Sequence, residues 1–280
     1  MNVAVVTDST SDMPDALAAQ LGVEIVPLYV NFKGQVLKDH LEINTGAIFQ
    51  GVKEGAAMPS TSQPTPVDFE NAFKRALEKA DHVLCLTISS GLSGTYQSAN
   101  LAAQTLPGKV TVFDSLTTCG SLAMMVERAV RMLNTGSALP DVIAALGRTQ
   151  KLMNLRFSVG SLDFLKKNGR IGGAQALIGG LLNIKPILHL VAGKVEAAGR
   201  VRGSKAALED MIANLKNLKT QHPKLRVTYI YADKPEDVQP LREAGRALGI
   251  EEFAVLQTGP VIASHVGPGT YGALAEPIEI

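Results

Sequence analysis

The chain has 280 residues, 46% of them hydrophobic and 19% charged, with a formal net charge of +1. That size and apolar content suit two domains with aliphatic cores, and the near-neutral balance removes the electrostatic case for nucleic acid or an anionic membrane. Two cysteines without metal-ligand spacing, and no apolar run of membrane-spanning length, argue against a disulfide scaffold, a metal centre and a stable membrane insertion. We expect reduced thiols and a cytoplasmic protein without a targeting segment.

Taken in order, Val3 to Val6 reads as a strand that ends in Thr7-Asp8-Ser9-Thr10-Ser11-Asp12. Asp12 before Pro14 suggests the cap of a helix that stops at Gly22. Ile25 to Val30 reads as a strand that Pro27 confines to an edge or a bulge. Asn44 or Thr45 is placed to cap a helix ending near Gly55. Pro59-Ser60-Thr61-Ser62-Gln63-Pro64 has no periodicity and reads as a rigid, hydroxyl-rich loop before a helix that starts at Thr65-Pro66.

The most informative stretch is His82 to Gln104. Val83 to Ile88 is an unbroken apolar run, as expected of a strand buried on both faces. A turn of Ser89, Ser90, Gly91, Leu92, Ser93, Gly94 and Thr95 follows, and then a helix. Strand, tight turn and helix set free N–H groups and hydroxyls at a helix N-terminus, a place that favours an anion. The turn holds no Lys or Arg, so recognition there would use neutral donors. Ser93 acting only as a helix cap is the competing reading.

Alternating strands and helices continue to about Lys151. They imply an α/β domain over 1–151 with a mostly parallel sheet covered on both faces. Asp8, Ser93 and Asp114 fall at strand carboxyl ends, where such sheets bind ligands. The two carboxylates are expected to orient loop N–H groups rather than to act as acids or metal ligands. Residues 152–280 read as an α+β domain with a mixed or antiparallel sheet. It has a hairpin turning at Gly193-Lys194 and a glycine-flanked apolar segment bounded by Gly172, Gly173, Gly179 and Gly180.

Gly91-Leu92-Ser93-Gly94 approaches a nucleophile elbow, with its second Gly one place early. A serine hydrolase would use Ser93, His265 as base and an acid such as Asp233. A binder of a phosphate-bearing small molecule is a further alternative, and no phosphate-loop or dinucleotide motif supports it.

The motifs together are more specific. Thr7-Asp8-Ser9-Thr10, the Pro59–Pro64 loop, Ser93-Gly94-Thr95-Tyr96-Gln97-Ser98-Ala99, Gly169-Arg170-Ile171, Lys185-Pro186-Ile187-Leu188 and His265-Val266-Gly267-Pro268-Gly269 resemble, in order and over nearly the whole chain, the DegV family. That resemblance implies two domains with a long-chain fatty acid such as palmitate, stearate or oleate held between them. It also implies no other cofactor, no turnover alone, and presentation of the acid to a fatty acid kinase for phosphorylation to an acyl phosphate. Carried over by motif, Thr61 and Ser93, with Ser62, Gly94 and His265, belong to the carboxylate site. Arg170 and Arg202 belong to partner docking or phosphotransfer. Asn168 departs from the family pattern, which has a second Gly before Gly169; Asn tolerates the left-handed turn this position needs.

Overall fold

The computed structural model describes residues 1–178 and 183–278, so Gly179 and Gly180 lie outside the described residues. The first half runs β1 (Val3–Asp8), α1 (Asp15–Leu21), β2 (Glu24–Val26), β3 (Tyr29–Phe32), β4 (Gln35–Lys38), α2 (Thr45–Lys53), β5 (Ser60–Ser62), α3 (Pro66–Leu77), β6 (His82–Thr87), α4 (Thr95–Gln104), β7 (Val110–Asp114), α5 (Cys119–Asn134) and α6 (Leu139–Leu152). The second half runs β8 (Asn154–Ser158), α7 (Asp163–Lys167), β9 (Ile184–Val191), β10 (Lys194–Arg202), α8 (Gly203–Gln221), β11 (Leu225–Tyr231), α9 (Gln239–Ala247), β12 (Glu251–Gln257), α10 (Pro260–Val266) and β13 (Tyr271–Pro277).

The expected α/β architecture is present. Strands β2-β1-β6-β7 form a parallel sheet, and alternate residues of its central strands point to opposite cores. Val5, Leu84 and Leu86 pack with α1, α5 and α6, while Val6, Val83 and Cys85 pack with α3 and α4. The second half builds a mixed sheet, β10-β9-β8-β13-β11-β12, with β11 and β12 parallel and the other pairs antiparallel. Helices α8 and α9 cover one face of it, through Met211, Leu215 and Leu241 against Val227 and Tyr229. The other face, with Leu155, Phe157, Leu188, Ile230 and Leu274, turns towards Ile88, Cys119 and Met124 of the first half.

Three local expectations are corrected. The run Ile25 to Val30 is not one strand: Pro27 splits it into β2 in the parallel sheet and β3 in a separate antiparallel sheet, β4-β3-β5. A proline cannot donate to a ladder, so the chain changes sheets there. The Pro59–Pro64 segment is not all loop, because Ser60 to Ser62 pair with Asn31 to Tyr29 as an edge strand. Asp12 does not cap α1. It is a left-handed residue, φ 50°, that closes the short turn Ser9–Ser11. Elsewhere the caps follow the sequence: Asn44 accepts from the Ala47 amide, and Thr65 with Asp68 makes a reciprocal capping box. The β9–β10 hairpin turns at Ala192 and Gly193, both at positive φ, one residue before the expected position.

A buried ionic cluster joins the halves. Glu276 on β13 accepts from Arg226 Nε on β11 and from Arg128 Nη2 on α5 at 3.2 Å. Arg226 also donates to Glu127 Oε2 at 2.6 Å and to the Met124 carbonyl at 2.9 Å. Removing Glu276 would leave two guanidinium groups buried without their shared anion. Glu276→Ala is expected to destabilise the fold by about 3–5 kcal/mol, read as a lower urea midpoint, because breaking one side of a buried pair costs far more than deleting the whole network.

Candidate functional site

The candidate site lies where the carboxyl ends of the parallel strands meet the open face of the mixed sheet. Two carboxylates, Asp8 buried and Asp114 half-buried, shape its loops. Asp8, at the end of β1, accepts from the Thr10 amide at 3.0 Å and the Ile88 amide at 2.7 Å. Asp114, at the end of β7, accepts from the amides of Ser90 and Leu116 at 3.0 and 3.2 Å. Both carboxylates orient loop N–H groups. Burial holds Asp8 up at about pKa 6 against the hydrogen bonds from Thr10 and Ile88. Ser89, in the same loop, donates from its hydroxyl to the Gly193 carbonyl at the hairpin tip, 2.7 Å away.

Behind these loops lies a narrow, mainly apolar cavity. It has about 730 Å³ of unfilled space counting its open mouth, but only about 70 Å³ wide enough for the centre of a water molecule. It is a slot rather than a chamber. Leu155, Phe157, Leu165, Val195, Ile230 and Val266 are among its walls, and Thr61, Ser93, Arg170 and His265 are among its polar members. Four residues separated by up to 204 positions in sequence are thus brought to one place.

Thr61 sits on β5, where period-two alternation turns it inward and leaves Ser60 and Ser62 exposed. Ser62 therefore points away from the cavity, which corrects its expected place in the site. Thr61 Oγ1 and His265 Nε2 share a hydrogen bond of 2.8 Å. Ser93 Oγ lies 2.8 Å from Thr95 Oγ1 and accepts from the Thr95 amide at 3.3 Å, while the N-cap of α4 is Gly94. Gly94 does not line the slot. Its α-carbon packs on the Gln63 amide, where a Cβ would overlap Gln63 Oε1, and Gln63 Nε2 donates to Ser98 on α4 at 3.0 Å. Gln63 is a residue that motif reading passed over: it fastens the β5 loop to the Ser93 turn.

Burial, reinforced by the nearby Arg170 charge, pushes His265 down to about pKa 4, so it is neutral at pH 7. Its Nδ1 is buried with no partner among the described residues. No acid orients the imidazole: Asp233 accepts from the Gly269 amide at 2.8 Å instead. Ser93 and His265 are bonded to Thr95 and Thr61, not to each other, so the hydrolase triad is not assembled.

Arg170 adds a cation beside the neutral donors of the turn. It is exposed at the mouth, with Nε donating to the Leu92 carbonyl at 2.9 Å and Nη1 to the Asn168 carbonyl at 2.8 Å. Asn168 is not left-handed, with φ −94°; the positive φ falls on Gly169, at 70°, so the tolerance expected of Asn168 is not called on, and its side chain instead donates to the Ser264 carbonyl of α10 at 2.8 Å. Arg202 is exposed at the end of β10 and is not among the residues lining the slot. Among the described residues no cluster of His, Cys, Asp or Glu can hold a metal ion, and no helix is long and apolar enough to cross a membrane.

Chemically, the mouth offers two hydroxyl donors, a neutral imidazole and one exposed cation, backed by a mainly apolar slot. That combination suits an amphiphile with a small acidic head and a thin apolar tail.

A family model described as "Uncharacterised protein, DegV family" matches residues 2–277. A DegV domain-containing protein of Deinococcus radiodurans is 44% identical over 279 residues, 99% of each chain. A solved DegV family protein of Thermus thermophilus, described by its fatty acid binding, superposes with a TM-score of 0.96 at 48% identity, covering 99% of this chain and 100% of its own. A stearic acid-binding protein of Eubacterium ventriosum superposes with a TM-score of 0.90 at 26% identity, covering 98% of both.

An NMR titration should show His265 becoming a cation only as the pH falls to about 4, and Arg170→Ala should raise that value. Because the folded pKa lies below the ordinary imidazole value of 6.5, this histidine's contribution to stability is complete above pH 6.5 and is lost as the pH falls towards 4.

Proposed function

The chain belongs to the DegV family, and on that footing we propose that it binds a long-chain fatty acid between its two halves, residues 1–151 and 152–280. The carboxylate meets Thr61 and Ser93 and the tail fills the slot behind them. The observation that carries this reading is the convergence of Thr61, Ser93 and His265 on the mouth of one apolar slot.

The hydroxyls have the right proton economy. Each carries a single proton. If His265 donates from Nε2 to Thr61 Oγ1, the Thr61 proton is free for a ligand; if Thr95 donates to Ser93, the Ser93 proton is free as well. Two such charge-assisted bonds contribute roughly 1.5–3 kcal/mol each. A palmitoyl tail of about fourteen methylenes contributes ~11 kcal/mol at ~0.8 kcal/mol per buried CH₂, before ordering costs. The tail supplies most of the affinity and the hydroxyls decide which end faces out.

The exposed Arg170 and the family resemblance support a second tier of the proposal. The bound carboxylate is presented to a fatty acid kinase, which transfers phosphate to it to give an acyl phosphate; the carrier has no turnover alone and works in the cytoplasm. Hydroxyls and a neutral imidazole leave the carboxylate more nucleophilic than a buried arginine would.

Purified protein, denatured and extracted with organic solvent, should yield long-chain fatty acid by mass spectrometry; no lipid and no binding of added palmitate or oleate would overturn the reading. Thr61→Ala should weaken palmitate binding by about 10- to 150-fold, the equivalent of one charge-assisted bond, with the thermal unfolding of the empty protein little changed. Incubation with kinase and ATP should produce acyl phosphate only when both proteins are present.

A further inference from the structure

Beyond Asp8 and Thr10, the Asp8–Asp12 motif plays no part in the site described above, yet it leads to a buried polar cluster far larger than a turn requires. Asp12 and Asp39 are buried, and the His40 imidazole lies between them, with Nε2 at 3.2 Å from Asp12 Oδ1 and 3.9 Å from Asp39 Oδ2. Asp12 and His40 both sit at positive φ, 50° and 61°, a conformation non-glycine residues hold only where their surroundings enforce it. The cluster is aimed at one target, the entry to α10. Asp39 Oδ1 accepts from the Val261 amide at 2.9 Å, and its Oδ2 accepts from Ser9 Oγ at 2.6 Å, which itself accepts from the Leu28 amide at 3.0 Å. Gly259 packs so closely that a Cβ there would overlap His40 Nε2 and Asp12 Oδ1. Beside it, Thr45 Oγ1 donates to the Thr258 carbonyl at 2.7 Å.

Helix α10 is one short element of seven residues, and it carries His265 one turn beyond these anchors. Its tilt and axial position therefore fix where Nε2 stands relative to Thr61. We infer that Asp39, with the Asp12–His40 pair and Gly259, is a positioning device for the His265–Thr61 pair, holding α10 in the register that puts the imidazole against the hydroxyl. The other titratable groups facing this cluster are Asp8, Asp15 and Cys119. Placement, not charge, is the operative property: an asparagine at position 39 can still accept from Val261 and donate to Ser9.

The test follows His265 directly and, resting on the fatty-acid reading, palmitate binding as well. Asp39→Ala should shift the His265 ring ¹⁵N resonances of the empty protein away from their wild-type values and weaken palmitate binding at least tenfold. Asp39→Asn should restore both, with affinity within threefold of wild type. Should Asp39→Ala fail to fold, Gly259→Ala serves in its place. Its φ of −65° tolerates alanine, so only the overlap with His40 and Asp12 acts, and the same resonance shift and tenfold loss are expected. Wild-type His265 resonances in the folded Ala variants, or an Asp39→Asn variant as impaired as Asp39→Ala, would overturn the inference. Failure of wild-type protein to bind palmitate would instead remove the fatty-acid reading, and the resonance comparison would still decide this one.

Discussion

One hydrogen bond, between Thr61 on β5 and His265 on α10, depends on almost everything else in the molecule being in place. Its partners belong to a strand of the small sheet and to a helix of the other half of the chain. Each is delivered by a short element that could not hold its position alone. β5 has three residues and leans on β3; α10 has seven and leans on carboxylates and threonines at its entry and on Asn168 near its end. The bond also sets which hydroxyl proton is available: a buried neutral imidazole that donates its Nε2–H to Thr61 Oγ1 leaves the threonine O–H to donate elsewhere.

The site sets a polar mouth against an apolar interior, and the two are stabilised by different means. The slot needs only side chains that leave room and lack hydrogen-bonding groups, and Leu155, Phe157, Ile230 and Val266 supply that. The mouth needs directed donors, and these rest on buried carboxylates at strand ends. Those carboxylates are an energetic burden near neutrality. Burial holds Asp8 and Asp39 at about pKa 6, so the stability they contribute is complete below the ordinary carboxylate pKa and declines as the pH rises through 6. His40 offsets part of this. Against the burial that pulls it down, the hydrogen bond and charge of Asp12 and the charge of Asp39 lift it to about 9, keeping a cation beside two anions through neutral pH.

The sequence speaks clearly wherever one local pattern dominates. The apolar run before Ser89 has no reading but a doubly buried strand, and its hydroxyl-rich turn sits where such strands leave ligands. Long-range contacts are what it hides. Ser60 to Ser62 have no strand propensity, and they become a strand because β3 presents an edge to them. Ser62 and Thr61 look equivalent in a list of hydroxyls, and only the pleat separates them. Asp12 looks like a helix cap because Pro14 follows; its actual partner, His40, is 28 residues away. Gln63 and Asp39 bear no chemical signature at all, since their importance lies wholly in what they tie together.

The slender attachment of β5 has a kinetic consequence. Central strand β6 is laddered on both sides, whereas β5 is joined along one side by three residue pairs. Peeling that rim away breaks few bonds beyond the Gln63–Ser98 and Thr61–His265 links and leaves both main sheets intact. Local opening at this rim runs through the threonine itself, so traffic of an occupant past it is coupled to the integrity of the grip on its polar end.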